Sequence, residues 1–599
     1  MSAISSSFTI PIDANLLLRK KKAIRRTLLT ESGLLKKKIA ILGGSTTAEI
    51  KDILEIFLLN SGIEPEFYES DFNQYYEEIM FENAALKAFS PDVVFIHTTQ
   101  VNIRNFPSLS DNDDSVERKL TDEFNLLEGM WERLKAEYGC TIIQNNYELP
   151  FARPLGNLDF SDIHGKTHFV AALNQKMARY AQVNTNFLVH DIHYLSSWIG
   201  LEKWHNRKDW YSYKYALGLD CIPAFAQNLA SILMAVFGKS KKALILDLDN
   251  TLWGGVIGDD GVHQIKIGTG SALAEAYTDF QTYVREMRDR GIILTVASKN
   301  DLQNAKDGFA HPDSTLRFDD FASFQANWDP KSSNIRKIAL EVNIGLDSMV
   351  FVDDNPAERE LVRQQVPEIV VPEVGDDIDK YIALLDKSGL FEATRISAED
   401  RGRHQFYQQN VTRAEQSLQF HDYGEYLASL CMSAQILPFD TASLERVTQL
   451  INKTNQFNLT TRRYTLSEVG SVIESRSHVA LHGRLSDKFG DNGLITAVIG
   501  NIVADVLYID LWVMSCRVLK RGMEFAVFDE LVRRAIGLGV KTISGEYLKT
   551  AKNGMVSVLY RDLGFEKVSG AEGADSRWTY SVPSDYKGKN SYIKVNYES

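Results

Sequence analysis

Cysteine is scarce in this chain: four residues in 599, Cys140, Cys221, Cys431 and Cys516. None stands in a CxxC or other metal-ligand spacing. That excludes a disulfide scaffold and a thiolate zinc site, and it fits a reduced, cytoplasmic setting. Long apolar runs are also lacking, so no membrane-spanning segment is expected. Positive charge is in deficit: 66 Lys and Arg against 79 Asp and Glu leave a formal charge of −13, which argues against a general nucleic-acid binder. Repeats and low-complexity tracts are absent. The opening MSAISSSFTIPIDANLLLRKKKAIRRTLL lacks the order of a signal peptide, because its basic run follows the apolar stretch. LLLRKKKAIRRTLL reads either as a helix with a solvated basic face or as a strip lying on an anionic membrane.

What is present is a set of carboxylates at strand ends. ALILDLDNT (Ala243–Thr251) is an apolar run that stops at Asp247 and Asp249. In a strand, residues i and i+2 point the same way, so these two acids leave the strand side by side. They repel each other unless a cation sits between them or one holds a proton. One can attack phosphorus beside Mg²⁺ while the other protonates the leaving oxygen. Ser298 ends a second apolar strand (Ile292–Ala297), Lys331 opens an amphipathic helix, and MVFVDDN ends a third strand in Asp353 and Asp354. In phosphoryl transfer, carboxylates hold the metal while hydroxyl and ammonium groups hold phosphoryl oxygens. The bland alternative is a set of turn residues and helix caps.

This ordered set resembles the haloacid-dehalogenase (HAD) superfamily. The resemblance implies that Asp247 is the nucleophile, Asp249 the general acid, and Asp247, Asp249, Asp353 and Asp354 the metal site, with Thr251, Ser298 and Lys331 around the phosphoryl group. The gaps from Asp247 to Ser298 and from Ser298 to Lys331 are too short for a cap domain. WGGVIGDDGVHQIKIG (Trp253–Gly268) reads as a Gly-rich hairpin. An uncapped site is open to a macromolecular substrate or to a neighbouring domain.

At 599 residues the chain is too long for one core. Residues 1–239 alternate strands with helices, including a helix over Asp122–Tyr138, and imply a parallel α/β sheet. Ser45, Asn146, Asp191 and His193 resemble the SGNH esterase set loosely: there is no GDS, and DIH replaces DxxH. Ser45 is either a nucleophile or a cap residue. Residues 240–386 carry the acids, and 387–418 form a polar helical connector. Residues 419–599 show a hairpin turning at Asp491-Asn492-Gly493, a buried strand (Val506–Ser515) and a helix beyond it. This resembles the GNAT acyltransferase fold. In that fold the loop after the long strand holds pyrophosphate, and Arg517, Lys520 and Gly522 take the matching positions. Lys520 stands where a Gly is usual. The fold class expected is thus α/β multidomain: an SGNH-like flavodoxin-type sheet, a HAD-like Rossmannoid sheet without a large cap, and a GNAT-like mixed α/β domain.

The order of the three regions, with DLDNTLWGGVIGDDG, FVDDNPAERE, INKTNQFNLTTRRY and SCRVLKRG, resembles the FkbH family over nearly the whole chain. That resemblance implies a glyceryl transferase and phosphatase acting on D-1,3-bisphosphoglycerate, a phosphorylated three-carbon substrate. A phosphoglyceryl thioester forms on Cys516, the phosphate is removed, and glycerate passes to an acyl carrier protein bearing phosphopantetheine, as in polyketide biosynthesis. Arg517, Lys520 and Arg521 follow Cys516, and positive charge at a helix start lowers a thiol pKa. Asn455, Asn458, Arg462 and Arg463 either hold polar substrate groups or form a helix end and a solvated patch. His482 is either a base or a structural histidine. A patch of Arg517, Lys520, Arg521, Lys549 and Lys552 is expected to dock an acidic carrier. The rival readings are a plain Mg²⁺ phosphatase with non-catalytic flanking domains, an acyl-coenzyme A N-acyltransferase, and a non-catalytic carrier-docking scaffold.

Overall fold

The computed structural model describes residues 8, 10–31, 33–417, 419–550, 552–571 and 573–596. The chain divides into two compact units. One is Ile12–Met234 with Thr465–Glu468, and the other is Met1–Pro11, Ala235–Tyr464 and Val469–Ser599.

The first-named unit is built on five strands: β1 (Leu35–Gly43), β2 (Ile63–Glu69), β3 (Val93–His97), β4 (Thr141–Asn145) and β5 (Phe187–His190). They are all parallel, in the order β2-β1-β3-β4-β5, the flavodoxin-type winding. Ile39 to Leu42 are fully buried, as a sheet covered on both faces requires. The helix expected over Asp122–Tyr138 starts earlier, at Asp113, because Asn112 caps it by accepting from the Ser115 N–H at 2.9 Å. The basic N-terminal segment is a helix, Ala14–Leu28, with Leu17, Ile24 and Leu28 buried. Its Lys21 and Arg25 pair with Glu49 and Glu55 of the helix Ala48–Asn60, each at 2.6 Å. The basic face is met by acids of its own unit.

One sequence expectation needs correcting. Leu219–Val236 is long and apolar enough to cross a membrane by length and composition, with a mean hydropathy of 1.4. Over half of it is packed inside the protein, and Phe225, Leu229 and Leu233 are fully buried, so its apolar character serves a core.

The second unit contains two sheets. Four parallel strands, β6 (Ala243–Leu246), β7 (Ile293–Ser298), β8 (Phe321–Ala326) and β9 (Met349–Val352), run in the order β8-β7-β6-β9. β6 is buried throughout and sits between β7 and β9, so the residues that follow it emerge at the sheet's centre. The expected Gly-rich hairpin is a loop with one bridge, Gly254 to Lys266, around a one-turn helix Ile257–Asp260. No cap domain interrupts this sheet.

The other sheet contains β10 (Met432–Pro438), β11 (Phe457–Asn458), β12 (His478–Asp487), β13 (Gly490–Val503), β14 (Val506–Met514), β15 (Thr542–Tyr547), β16 (Glu566–Ser569), β17 (Ser576–Ser581) and β18 (Ile593–Asn596). β12, β13 and β14 are antiparallel, whereas β14 and β15 are parallel with the helix Met523–Gly537 between them, a GNAT-like arrangement. The hairpin turns at Lys488-Phe489, not at Asp491–Gly493, which lies inside β13 where the pairing shifts register. The reason is Asp487. Its Oδ1 accepts from the Phe489 N–H at 2.9 Å, and Arg413 and Arg521 clamp its carboxylate at 2.8 and 3.0 Å. The polar connector folds into helices Ala398–Arg401 and Arg403–Ser417, and Arg403 and Tyr407 face a cavity between the two sheets.

Candidate functional site

The end of β6 carries the acid site. Leu246 is registered against Val352, and the Asp247 N–H donates to the Val352 carbonyl at 3.0 Å, so Asp247 and Asp353 leave adjacent strands together. Asn250 then turns the chain with φ 55°, a region Asn enters more readily than most residues. That turn brings Thr251 back, and its hydroxyl lies 3.4 Å from Asp354 Oδ1 and accepts from the Asp354 N–H at 3.2 Å. Asp247, Asp353 and Asp354 each place a carboxylate oxygen within 4.8 Å of the others. Asp247 Oδ1 is buried without a hydrogen-bond partner. An all-oxygen donor set with an orphaned anionic oxygen suits a hard divalent cation.

Lys331 opens the helix Lys331–Glu341 and spans Asp247 at 2.7 Å and Asp353 at 2.5 Å. Burial works against its charge, but the two carboxylates prevail and hold its pKa above the ordinary lysine value. Burial and the Asp247 charge push Asp353 up to about 6. Asp249 departs from expectation: its carboxylate lies outside the trio. It accepts from Trp253 Nε1 at 2.8 Å, the Ile257 N–H at 3.1 Å and Asn300 Nδ2 at 2.9 Å. Burial raises its pKa, which suits an acid that must hold a proton. Ser298 ends β7 next to β6, fully buried.

Two helpers escaped the sequence reading. Buried Arg359 donates to the carbonyls of Asp353 and Asp354 at 2.8 and 2.6 Å, fixing the acid loop. Asn300 orients Asp249. Arg359 was visible inside FVDDNPAERE, but nothing in a lone arginine tells a loop brace from a surface charge.

Cys516 lies elsewhere. It follows β14 in a one-turn 3₁₀ helix, and its carbonyl accepts from Asn343 Nδ2 at 2.9 Å. It lines a cavity of about 540 Å³ between the phosphatase-like sheet and the GNAT-like sheet. Nine basic and four acidic side chains line that cavity, among them Lys241, Lys242, Arg446, Lys453 and Arg517. Lys241 and Lys242 come from the SKK that precedes β6, and no sequence signal distinguished them from an ordinary strand-flanking charge. Lys242 precedes β6 and Asp247 follows it. The cavity and the acid trio therefore stand at opposite ends of one strand, roughly 16 Å apart at about 3.3 Å per residue.

The remaining expected residues divide. Asn455 lines the cavity and accepts from Arg463. Asn458 does not line it: its Oδ1 accepts from the Thr461 N–H at 2.8 Å in a buried turn. Arg521 does not bind at the cavity either. It is buried, donating to Asp487 at 3.0 Å and to Asn410 Oδ1 and the Arg517 carbonyl, each at 2.9 Å, so its fork is taken up internally. Arg462 pairs with Asp510 at 2.8 Å. His482 is buried in β12 and away from the cavity lining. Lys520 is exposed with φ 62°, the left-handed conformation a Gly adopts freely at that place. In the expected docking patch, Lys520, Lys549 and Lys552 are exposed, Lys552 pairs with Asp347, and Arg521 is buried.

Of the esterase-like residues of the other unit, Asn146 bonds both Asp191 and the His193 N–H, and Ser45 has no hydrogen bond to them. Asp191 caps the helix Ile192–Ile199 and accepts from Asn146 at 2.6 Å. His193 Nδ1 faces the Tyr147 carbonyl at 3.1 Å, and Ser45 Oγ is buried with no partner.

Residues 38–234 match the family model described as FkbH, N-terminal domain. The crystal structure of the N-terminal part of BF1531 from Bacteroides fragilis, containing a phosphatase domain complexed with Mg, is 33% identical with a TM-score of 0.59. It covers 63% of this chain and 99% of its own. Escherichia coli ribosomal-protein-S18-alanine N-acetyltransferase is 16% identical with a TM-score of 0.20, covering 26% of this chain and 99% of its own. The GNAT domain of S. lividans PAT is 17% identical with a TM-score of 0.21, covering 24% and 89%. The chain matches none of the curated proteins. On the match of residues 38–234 to the family model and on the 33% identity to the Bacteroides fragilis phosphatase-domain protein, the chain belongs to the FkbH family.

Proposed function

We propose that this protein is a glyceryl transferase with a built-in phosphatase, which loads glycerate from D-1,3-bisphosphoglycerate onto an acyl carrier protein in the cytoplasm. The observation that carries this reading is the placement of Cys516 in a cation-lined cavity, within the same compact unit as the acid trio. A plain phosphatase has no need of that second site. The Cys516 thiolate attacks the carboxyl carbon of the acyl phosphate. The C–O bond to phosphate breaks, inorganic phosphate leaves, and a thioester remains. An acyl phosphate is already activated, so a thiolate suffices without a strong base. The carrier's pantetheine thiol then takes the acyl group by thioester exchange.

At the acid site, Asp247 attacks the phosphomonoester and Asp249 gives its proton to the leaving alkoxide. Water then releases phosphate from Asp247. Lys331 and Thr251 hold the phosphoryl oxygens and the acid loop. Mg²⁺, held by Asp247, Asp353 and Asp354, would supply charge neutralisation and phosphoryl polarisation. Because the two sites stand at opposite ends of β6, the acyl group changes place between its capture and the loss of its second phosphate.

Intact-protein mass spectrometry with D-1,3-bisphosphoglycerate tests the reading. The wild type should gain an acyl mass that Cys516→Ser abolishes, since a serine hydroxyl is far less ionised at neutral pH. Asp247→Asn should stop Mg²⁺-dependent release of the monoester phosphate while leaving the thioester step. Phosphate release with no acyl mass on any cysteine would select the plain Mg²⁺-dependent phosphatase instead.

A further inference from the structure

The cavity beside Cys516 has a charge distribution that an empty structural interface does not need. Lys242 turns its ammonium into it and finds one partner, the Lys453 carbonyl at 3.0 Å, with no carboxylate in ion-pair range. Lys241 likewise donates to the Asp347 carbonyl at 2.6 Å. Lys453 reaches its nearest carboxylate, Asp400, only at 3.8 Å. Arg446 keeps its Nε buried and unpartnered although its other end meets Glu399. Burial lowers the pKa of Lys241 and Lys453 to about 8 and depresses that of Lys242, so all three charges cost the protein free energy as it stands. Nine basic side chains against four acidic ones around one cavity, with Lys241 and Lys242 bonded only to carbonyls, mark a place for an anion. The acid trio has the opposite character and lies at the far end of β6, so the two sites serve different phosphoryl groups.

We propose that Lys242 and Lys453, with the Nε of Arg446, form a phosphoryl-binding chamber beside Cys516 that holds the anionic part of its reactant. The shared chemistry is a dianionic or monoanionic phosphoryl group. It has two sources: the acyl phosphate about to leave from the three-carbon substrate, or the phosphate of the carrier's phosphopantetheine. This deepens the transferase reading and rests on it for the identity of the reactant, but anion binding itself is testable alone. Held by these cations, the departing phosphate leaves with its charge matched, and the thiolate attack is directed at the carbon bonded to it.

The test measures alkylation of Cys516 by iodoacetamide in the full-length protein without Mg²⁺, using 3-phosphoglycerate, inorganic phosphate and phosphopantetheine as probes. Wild type should be protected. Lys242→Met and Lys453→Met should each weaken protection by about 10-fold or more, the loss of one charge-assisted hydrogen bond. Lys242→Arg should keep most of it. Protection by 3-phosphoglycerate and phosphate assigns the chamber to the small substrate, and protection by phosphopantetheine alone assigns it to the carrier arm. A second readout separates ligand binding from a structural role. Lys242→Met should raise the thermal midpoint of the apo protein, because it removes a buried charge that lacks a counter-ion, whereas a structural lysine would lower it. Hydrolysis of p-nitrophenyl phosphate at the acid trio should stay within about twofold, which shows that the fold is retained. Equal protection in wild type and both Met variants, or none by any probe, overturns the chamber. If protection is lost in the variants but no thioester ever forms, the chamber stands and the transferase reading falls. If thioester formation survives unchanged in the variants, the reverse holds.

Discussion

Lys331 sits with its side chain 3% exposed between two carboxylates that emerge from neighbouring strands. Its ammonium is the local counter-charge to Asp247 and Asp353, at 2.7 and 2.5 Å from them. Lys331→Met leaves that buried pair uncompensated, an effect of about 3–5 kcal/mol for breaking a buried pair from one side. The expected outcome is a lower thermal midpoint without Mg²⁺ and a larger recovery on adding Mg²⁺ than the wild type shows. A variant that Mg²⁺ stabilises no more than it does the wild type would mean that the trio is not the cation site. Arg521 teaches a complementary point. A basic residue beside Cys516 looks like a substrate ligand until its fork is seen filled by Asp487, Asn410 and the Arg517 carbonyl.

At the scale of elements, the acid site depends on one turn. β6 is four residues long, and the three residues Asp249 to Thr251 must double back at once to return Thr251 to Asp354. Asn250 permits this with its left-handed φ, and its Oδ1 accepts from the Gly255 N–H at 2.9 Å while its carbonyl accepts from the Tyr277 hydroxyl at 3.2 Å. Asn250→Val should cost about 1–2 kcal/mol from the left-handed backbone alone, with a steep loss of phosphate release. Asn250→Gly relieves the strain and should retain most of the stability. Urea denaturation of the two variants decides: equal stabilities would show that backbone strain does not govern the turn. The connector is the other element whose role the fold changes. A polar helical linker becomes a wall of the Cys516 cavity through Arg403 and Tyr407.

Across a whole unit, buried titrating groups set the response to pH. In the flavodoxin-type unit, burial holds His97 and His190 at about 3, below the ordinary 6.5, and raises Glu148 to about 8 from 4.5. Between pH 4.5 and 6.5 the unfolded chain binds two more protons through the histidines and one fewer through Glu148. The net excess of one makes stability rise by about 1.4 kcal/mol per pH unit. Below pH 4.5 Glu148 drops out and Asp111, Asp159 and Asp162, whose carboxyls are held below the ordinary range by hydrogen bonds, join the two histidines, so stability falls more steeply as pH drops. Above pH 6.5 Glu148 and His164, raised by its bonds to the Asp111 carbonyl and Asp162, act in the same sense: the folded state holds their protons, the unfolded state does not, and stability falls as pH rises. A maximum near pH 6.5 is therefore expected in native-state hydrogen exchange of β3, β4 and β5. Protection that climbs steadily through pH 8 would contradict the buried, protonated Glu148.

The sequence by itself determined where the acids, the hydroxyl and the lysine emerge, though not that Asp249 stands outside the acid trio. Strand-ending carboxylates, the hydroxyl and the lysine are local signals, because alternation along a strand dictates which side chains emerge together. It determined the three sheets for the same reason, since apolar runs broken by turns are written in consecutive residues. The hairpin turn escaped it, because Asp487 is fixed by Arg413 and Arg521, each more than thirty residues distant. Tertiary structure alone decided which distant cations line the cavity beside Cys516. Lys242, Arg446 with Lys453, and Arg517 come from three separate segments, and a charge next to a strand looks the same in sequence whether it faces water or a cavity. It alone also showed that Asp247 and Cys516 stand at opposite ends of β6, because sequence order says nothing of which sheet edge a later domain covers.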